Sequence, residues 1–267
     1  MTGGSTRVFA ILGDPLKHTL SPAMHNAAFR ALGLDATYVP LRCNAADVPG
    51  LVTALAKAGG GGNVTIPHKE TAAKAITRPS ERVQRLGACN TFWGDDTAVV
   101  GDNTDVDGLK EALRLLEAPT NAWLIAGTGG AARAVVAAAR EARAAVAVRS
   151  RDPSRRQAFE QWVKDQGVTL ARSAECEVMI NATPLGIHPG DHLPLAVDDA
   201  PEAQIALDLI YAPGETAWVR LMRQGGLRAA DGRAMLVAQG AQSFRRWFPD
   251  EEPPIEVMKA AVNDALR

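Results

Sequence analysis

Cysteine is scarce in this chain of 267 residues: Cys43, Cys89 and Cys176 are odd in number, far apart, and show no C-x-x-C spacing. That pattern excludes a disulfide framework or a thiolate zinc knuckle and leaves reduced structural thiols. Net charge is scarce as well, at -1, so nothing draws the whole molecule to nucleic acid, and the arginines gathered between Arg140 and Arg156 need a local reason. No apolar run is long enough to cross a bilayer. The opening MTGGSTRVFAILG also lacks the basic segment, long apolar stretch and small-residue cleavage site of a secretory signal. A cytoplasmic protein without membrane or nucleic-acid partners is the expectation. What the chain does have is core-forming material, 46% hydrophobic, enough for one large domain or two modest ones.

Short apolar strands alternate with amphipathic or Ala-rich helical stretches almost from end to end, which predicts an α/β fold with parallel sheets covered by helices. The first series reads as strands at 7–13, 36–41 and 63–67, helices near 22–33, 47–58 and 68–76, and a hairpin over 89–101 turning at Gly94 to Asp96. A helix from Asp105 leads through APTN (118–121) to a second series. It reads as strand 122–127, helix 130–143, strand 144–150, helix 153–166, and strands at 177–182 and 205–211. The rest, GRAMLVAQGAQSFRRWF and the helix from Pro254, has no sheet of its own to cover and is expected to return to the first domain. Its stripe of Met235, Leu236, Phe244, Trp247 and Phe248 is read as sealing that core. The expected domains are 1–106 with 235–267, binding substrate, and 107–234, a Rossmann-like doubly wound dinucleotide-binding domain. The run GGGG at 59–62 reads as a flexible lead into a strand.

In AWLIAGTGGAARAVVAAA, Gly127, Gly129 and Ala132 form G-x-G-x-x-A between an apolar strand and an Ala-rich helix. Gly127 permits a tight turn, Gly129 lets backbone approach a pyrophosphate, and the helix start offers unpaired N–H groups. The plainer alternatives are glycines that merely close a turn, or a site for a nucleoside-containing methyl donor. The next strand discriminates: an NAD site should end it with an acid, whereas AAVAVRS runs into Arg149, Ser150 and Arg151. Arg151 and Arg155 suit a 2′-phosphate, hence NADP(H). Asp152 would repel that phosphate, yet before Pro153 it also reads as a helix N-cap.

Polar clusters fall at strand ends of the first domain: HTLSP (18–22), NVTIPHKE (63–70), GACNT (87–91) and GDNTD (101–105). They supply Thr19, Ser21, Asn63, Thr65, Lys69, Asn90 and Asp105, mostly neutral groups that suit a small polyhydroxylated ligand. Reducing a ketone with hydride leaves negative charge on oxygen and calls for a proton donor there. Lys69 fits that role, with Asp105 to orient it; the bland alternative is a pair of solvated helix-start charges. His18 and His68 adjoin these residues, either bonding substrate or filling space, and His25 reads as structural. His188 and His192 flank a Pro/Gly turn, where an exposed loop is favoured over a metal site.

Taken in order, the clusters resemble those of the shikimate dehydrogenase family: HSxSP, NVTxPxK, GAxNT, GDNTDxxG, GAGGAxR, NATPxG, DxxYxPxxT and GxxMLxxQ, with matches from Gly13 to Gln239. The resemblance implies reversible NADPH-dependent reduction of 3-dehydroshikimate to shikimate, a step of chorismate and aromatic amino acid biosynthesis, by a monomer or homodimer. It implies that Thr19 and Ser21 hold the substrate carboxylate, that Asn63, Thr65, Asn90 and Gln239 hold ring hydroxyls, and that Tyr211 lines the same site. Catalysis would fall to Lys69 with Asp105. Cofactor contacts would come from Gly127, Thr128, Gly129, Gly130 and Ala131, from Ser150, Arg151 and Arg155, and from backbone near Leu209 and Gly232. Four positions depart from the pattern: Thr19 replaces a serine, Ser150 and Asp152 replace the asparagine and threonine of NRT, and Thr128 makes the loop GTG. The first leaves room for a quinate/shikimate dehydrogenase, the changes at NRT for relaxed cofactor use. A nucleotide-dependent regulator that lost catalysis is the alternative from another class.

Overall fold

The computed structural model describes residues 5–188 and 190–267, so Pro189 in the turn between His188 and His192 lies outside the described residues. Two compact units are present: one runs to Asp105 and takes up Leu236–Ala265, and the other is Val106–Met235 with Leu266–Arg267.

In chain order the elements are β1 (Arg7–Gly13), α1 (Ser21–Ala31), β2 (Ala36–Arg42), α2 (Val48–Lys57), β3 (Gly61–Val64), α3 (Lys69–Ala75), β4 (Arg78–Pro79), α4 (Glu81–Leu86), β5 (Thr91–Asp95) and β6 (Ala98–Asp102). They continue with α5 (Asp105–Leu115), β7 (Ala122–Ala126), α6 (Gly130–Ala142), β8 (Ala145–Arg149), α7 (Pro153–Asp165), β9 (Val178–Asn181), β10 (Ile205–Asp208), α8 (Ala217–Gln224), β11 (Arg228–Ala230), α9 (Arg233–Trp247) and α10 (Ile255–Asp264).

The first unit holds a mixed six-stranded sheet in the order β2-β1-β3-β5-β6-β4. Parallel β1 pairs with β2 and β3, and the β5–β6 hairpin runs antiparallel beside β3. The glycine run is no flexible lead. Gly60, Gly61 and Gly62 are buried, and a Cβ on them would fall on the carbonyl oxygens of Val8, Phe92 and Ala10 respectively. Backbone packs there so closely that only hydrogen fits, which is why glycine stands in a strand. The hairpin turns later than expected, at Asp96 and Thr97, with Asp96 at φ +53°. Gly94 belongs to β5 instead, and glycine stands there because a side chain would strike the Ala56 carbonyl.

The aromatic end of α9 closes the core of this unit: Phe244 and Trp247 are buried, and Phe9 lies 4.7 Å from Trp247 and 5.5 Å from Phe248. Helix α10 packs on α1, as the absence of a sheet to cover suggested.

The second unit is a wholly parallel five-stranded sheet, β11-β10-β9-β7-β8. Its β7 is buried throughout, as parallel strands covered on both faces must be. Strands β9 and β10 end earlier than their apolar runs. Asn181 Oδ1 accepts the Thr183 N–H at 3.0 Å and Asp208 Oδ1 accepts the Ile210 N–H at 3.1 Å, and each bond bends the chain out of the sheet.

The three cysteines are free and buried, and burial pushes the Cys89 thiol up to about 12 and Cys176 to about 11. Among the described residues no helix is long and apolar enough to cross a membrane, and no group of three or more His, Cys, Asp or Glu side chains converges on a metal-sized site.

Candidate active site

Lys69 opens α3 and Asp105 opens α5, so each projects from a helix start beside the carboxyl end of a strand. Their side chains meet: Lys69 Nζ donates to Asp105 Oδ2 at 2.6 Å, with the two side chains 14% and 8% exposed. The solvated-charge alternative fails on that burial, because a dry ammonium is tolerable only with a partner and its remaining protons directed at something.

Asn90 orients the carboxylate. Its Nδ2 donates to Asp105 Oδ1 at 2.9 Å and lies 3.4 Å from Gln239 Oε1, while its Oδ1 accepts the Thr104 N–H at 2.7 Å. The loop before α5 is tied down separately. Asn103 Oδ1 accepts the Asp105 N–H at 3.2 Å, and Asn103 Nδ2 donates to the Ala88 carbonyl at 3.0 Å.

At the end of β6, Asp102 accepts from Ser80 at 2.6 Å and from Arg246 Nη2 at 2.9 Å. Burial works to raise its pKa, but the bonds from Ser80 and Asn103 and the Arg246 charge hold it below the ordinary carboxylate value.

Asn63 sits within β3 and is already engaged: Oδ1 accepts the Tyr38 hydroxyl at 2.8 Å, and Nδ2 donates to Asn90 O at 3.1 Å and Ser243 Oγ at 2.9 Å. Its amide hydrogens are committed, so toward a ligand it can only accept. Ser243 Oγ and Thr104 Oγ1, 3.1 Å apart, join Asn63 to the Asn90 cluster. Ser21 is buried and Thr19 half-buried, with the Ser21 N–H 3.4 Å from Thr19 Oγ1; half-buried Thr65 follows β3 and donates its N–H to the Leu12 carbonyl.

Neither Ser243 nor Tyr38 was singled out in the sequence. Ser243 is one turn after Gln239 on α9 and so shares its face, a spacing that the GxxMLxxQ cluster alone does not advertise. His68 is buried and its Nε2 bonds the Cys43 carbonyl at 2.9 Å, which favours the space-filling alternative for that residue. His18 is exposed.

In the second unit, Gly127 takes φ +109°, and a Cβ on it would stand 2.9 Å from the Ala182 carbonyl. Gly129 is the N-cap of α6, with open space where a Cβ would lie, while Thr128, Gly130 and Ala131 are half-buried around it. A Cβ on Gly232 would stand 2.5 Å from the Leu209 carbonyl, so these two positions press backbone against backbone. A dinucleotide fits these features: open space at Gly129 leads onto the unpaired N–H groups of a 13-residue helix.

Past β8, Ser150 Oγ accepts the Asp152 N–H at 3.3 Å, and Arg151 and Arg155 are exposed. Asp152 is an N-cap, accepting the N–H of Ser154 at 2.9 Å and of Arg155 at 3.1 Å. Tyr211 is half-buried in the loop after β10. His188 and His192 are exposed.

Comparison with known proteins gives the family. The family model described as shikimate dehydrogenase substrate binding domain matches residues 11–92, and that of the shikimate 5'-dehydrogenase C-terminal domain matches residues 232–262. A shikimate dehydrogenase (NADP(+)) of Microcystis aeruginosa is 36% identical, covering 97% of each chain. One from Methanothrix thermoacetophila is 38% identical over 97% of this chain and 98% of its own. The crystal structure of shikimate 5-dehydrogenase from Thermus thermophilus in complex with NADP(H) and shikimate superposes with a TM-score of 0.86 at 36% identity, over 97% of this chain and 99% of that one.

Proposed function

The chain belongs to the shikimate dehydrogenase family, and on that premise we propose that it reduces 3-dehydroshikimate to shikimate reversibly at the Lys69–Asp105 pair, using NADPH. The single observation that carries the reading is the 2.6 Å bond between a largely buried ammonium and a buried carboxylate, beside amide groups that suit a polyhydroxylated ring.

When bound, the nicotinamide supplies the hydride. Lys69 meets the ketone oxygen with a positive charge and a proton as charge builds there, and a neutral amine remains, to be reprotonated from water or a neighbouring hydroxyl. In the oxidative direction the same nitrogen takes the hydroxyl proton. Asp105 fixes the ammonium and, through Asn90, is itself fixed. Asn90 and Gln239 address ring hydroxyls, Asn63 accepts from one, Thr65 adds a further hydroxyl, and Thr19 and Ser21 receive the carboxylate; Tyr211 is assigned to the same substrate. Gly127 to Ala131 hold the pyrophosphate of the cofactor, Ser150, Arg151 and Arg155 its 2′-phosphate, and backbone near Leu209 and Gly232 makes further cofactor contacts. A cytoplasmic monomer or homodimer completes the proposal.

A regulator without catalysis has no use for a buried proton donor held in place, which weighs against that alternative. A quinate-preferring enzyme differs only in substrate, and its one supporting observation is Thr19. Purified protein mixed with shikimate and NADP should raise absorbance in the reduced-nicotinamide band, more steeply than with quinate. No turnover with shikimate, quinate or their keto forms would overturn the reading.

A further inference from the structure

We infer that Asp208 is a positioning residue that locks two loops into the shape that receives NADP, acting through Asn181 and Thr216. The inference rests on the reading above and adds residues that it does not use.

In the second sheet β7 lies between β8 and β9, so successive strands are laid down on opposite sides of it and the chain changes direction between β7 and β9. In such sheets the ligand crevice opens outside the carboxyl ends of the strands at that point. Asn181 and Asp208 are the last residues of β9 and β10, paired across the ladder, and both are fully buried.

Buried polar side chains at such a place are held only if every group finds a partner, and here they do. Asn181 Nδ2 donates to Asp208 Oδ1 at 2.8 Å and to the Leu185 carbonyl at 3.1 Å. Its Oδ1 accepts the N–H and hydroxyl of Thr183 at 3.0 and 2.6 Å. Asp208 Oδ1 also accepts the Ile210 N–H, and Oδ2 accepts the Thr216 hydroxyl at 2.8 Å. Thr216 in turn caps α8 by accepting the Val219 N–H at 3.2 Å.

One carboxylate therefore binds the loop after β9, the loop after β10 and the start of α8. Each loop also borders a glycine that tolerates no side chain: Ala182 stands against Gly127, and Leu209 against Gly232. A shift of either loop alters the wall of the dinucleotide crevice without touching Lys69, and the expected signature is weaker cofactor binding at nearly constant turnover.

The test uses the full-length enzyme, with Asp208→Asn as the main variant. An amide keeps the shape but replaces an acceptor with a donor facing Thr216, whose oxygen already accepts from Val219. In a folded variant, judged by circular dichroism, KM and Kd for NADP should rise about tenfold, with kcat held within roughly threefold. Unchanged NADP constants would overturn the inference, and so would an equal loss in all parameters, which marks general distortion. Should Asp208→Asn not fold, Thr216→Val decides by the same readout, with Thr216→Ser restoring wild-type constants. The reading above fails separately, when the wild type shows no turnover; fluorescence titration with NADP then still decides whether Asp208 shapes the crevice.

Discussion

The two units reach a binding surface by opposite means. In the first, side chains make the proposed site: Lys69, Asp105, Asn90, Gln239, Asn63 and Ser243 form a continuous, largely buried polar cluster, and glycines sit behind it where backbones of neighbouring strands nearly touch. In the second, backbone makes the proposed site: Gly127 and Gly129 open the turn, a helix start offers its N–H groups, and buried side chains such as Asp208 hold loops in place. A substrate ring needs directional partners at several points, whereas a pyrophosphate needs a concave row of N–H groups with nothing in front of it. Side-chain loss should therefore damage the first unit's chemistry, and side-chain gain the second unit's binding.

Removing the ammonium is the hardest blow to the first half of that contrast. For Lys69→Ala, kcat should fall by about 10²–10⁴, the usual worth of a positioned acid–base group, while Kd for NADP stays at the wild-type value. Steady-state rates with a parallel fluorescence titration read both. A loss of less than tenfold would mean that the proton comes from elsewhere.

Paired alanine substitutions come next. A Cβ on Gly62 would fall on the Ala10 carbonyl, within a strand that cannot move without parting β1 from β3, so Gly62→Ala should cost about 3 kcal/mol or more. Gly129 has φ -89° and open space, so Gly129→Ala should fold at a cost of no more than about 1 kcal/mol, what alanine costs at an N-cap, and yet lose NADP affinity severalfold, because the new methyl stands where the proposed pyrophosphate site opens. Thermal unfolding and cofactor titration separate the two. Wild-type NADP affinity in Gly129→Ala would break the comparison.

Those glycines also mark where sequence reasoning stopped. Alternation of strands and helices revealed the α/β class, and the positions of β1, β7, α6 and α7 were legible because apolar periodicity, Pro153 and Asp152 agree there. The GGGG run misled because composition records a lack of side chains, while only the fold shows that neighbouring backbones require it. The short β4, α4, α8 and β11 left no periodicity to detect, although Ser80 and Thr216 are ordinary N-caps in retrospect. At the site, spacing named the residues with evident chemistry. Ser243, Tyr38 and Arg246 escaped because they reach it from distant parts of the chain, where nothing local marks them.

Buried titratable groups sharpen the comparison through pH. His25 stacks on Tyr38 at 4.6 Å, both ring nitrogens lack a partner, and burial lowers its pKa from 6.5 to about 3. Between those values the unfolded chain binds the extra proton, so stability is fully present above pH 6.5 and falls as pH drops, at up to about 1.4 kcal/mol per pH unit. Asp208 runs the other way. Burial raises its pKa from 3.8 to about 6, with Asp231 adding to the rise and the bonds from Thr216, Ile210 and Asn181 opposing it. The native state then holds the extra proton, and stability falls as pH climbs from 3.8 to about 6. The two slopes oppose each other over the shared window. His25→Leu should leave a chain that gains stability relative to wild type as pH is lowered through it, as followed by urea unfolding. Identical slopes for the two proteins would show that His25 stays neutral in both states or is protonated in both.

The smallest effect concerns Asp152, where a carboxylate stands in a loop assigned to a 2′-phosphate. Its Oδ1 caps α7 and its Oδ2 lies 3.6 Å from Arg155 Nε, with both side chains largely exposed, so it holds the helix start and draws Arg155 toward itself. Asparagine caps a helix as well as aspartate does, so Asp152→Asn should keep stability within about 0.5 kcal/mol, whereas alanine costs about 1 kcal/mol. With the negative charge gone, Arg155 is free to meet a phosphate and the repulsion disappears. Solvent screens an exposed pair of this kind, which limits the gain in the ratio of kcat/KM for NADP over NAD to about threefold to tenfold, and less at high salt. A ratio indifferent to both the substitution and ionic strength would remove Arg155 from cofactor selection and leave that role to Ser150 and Arg151.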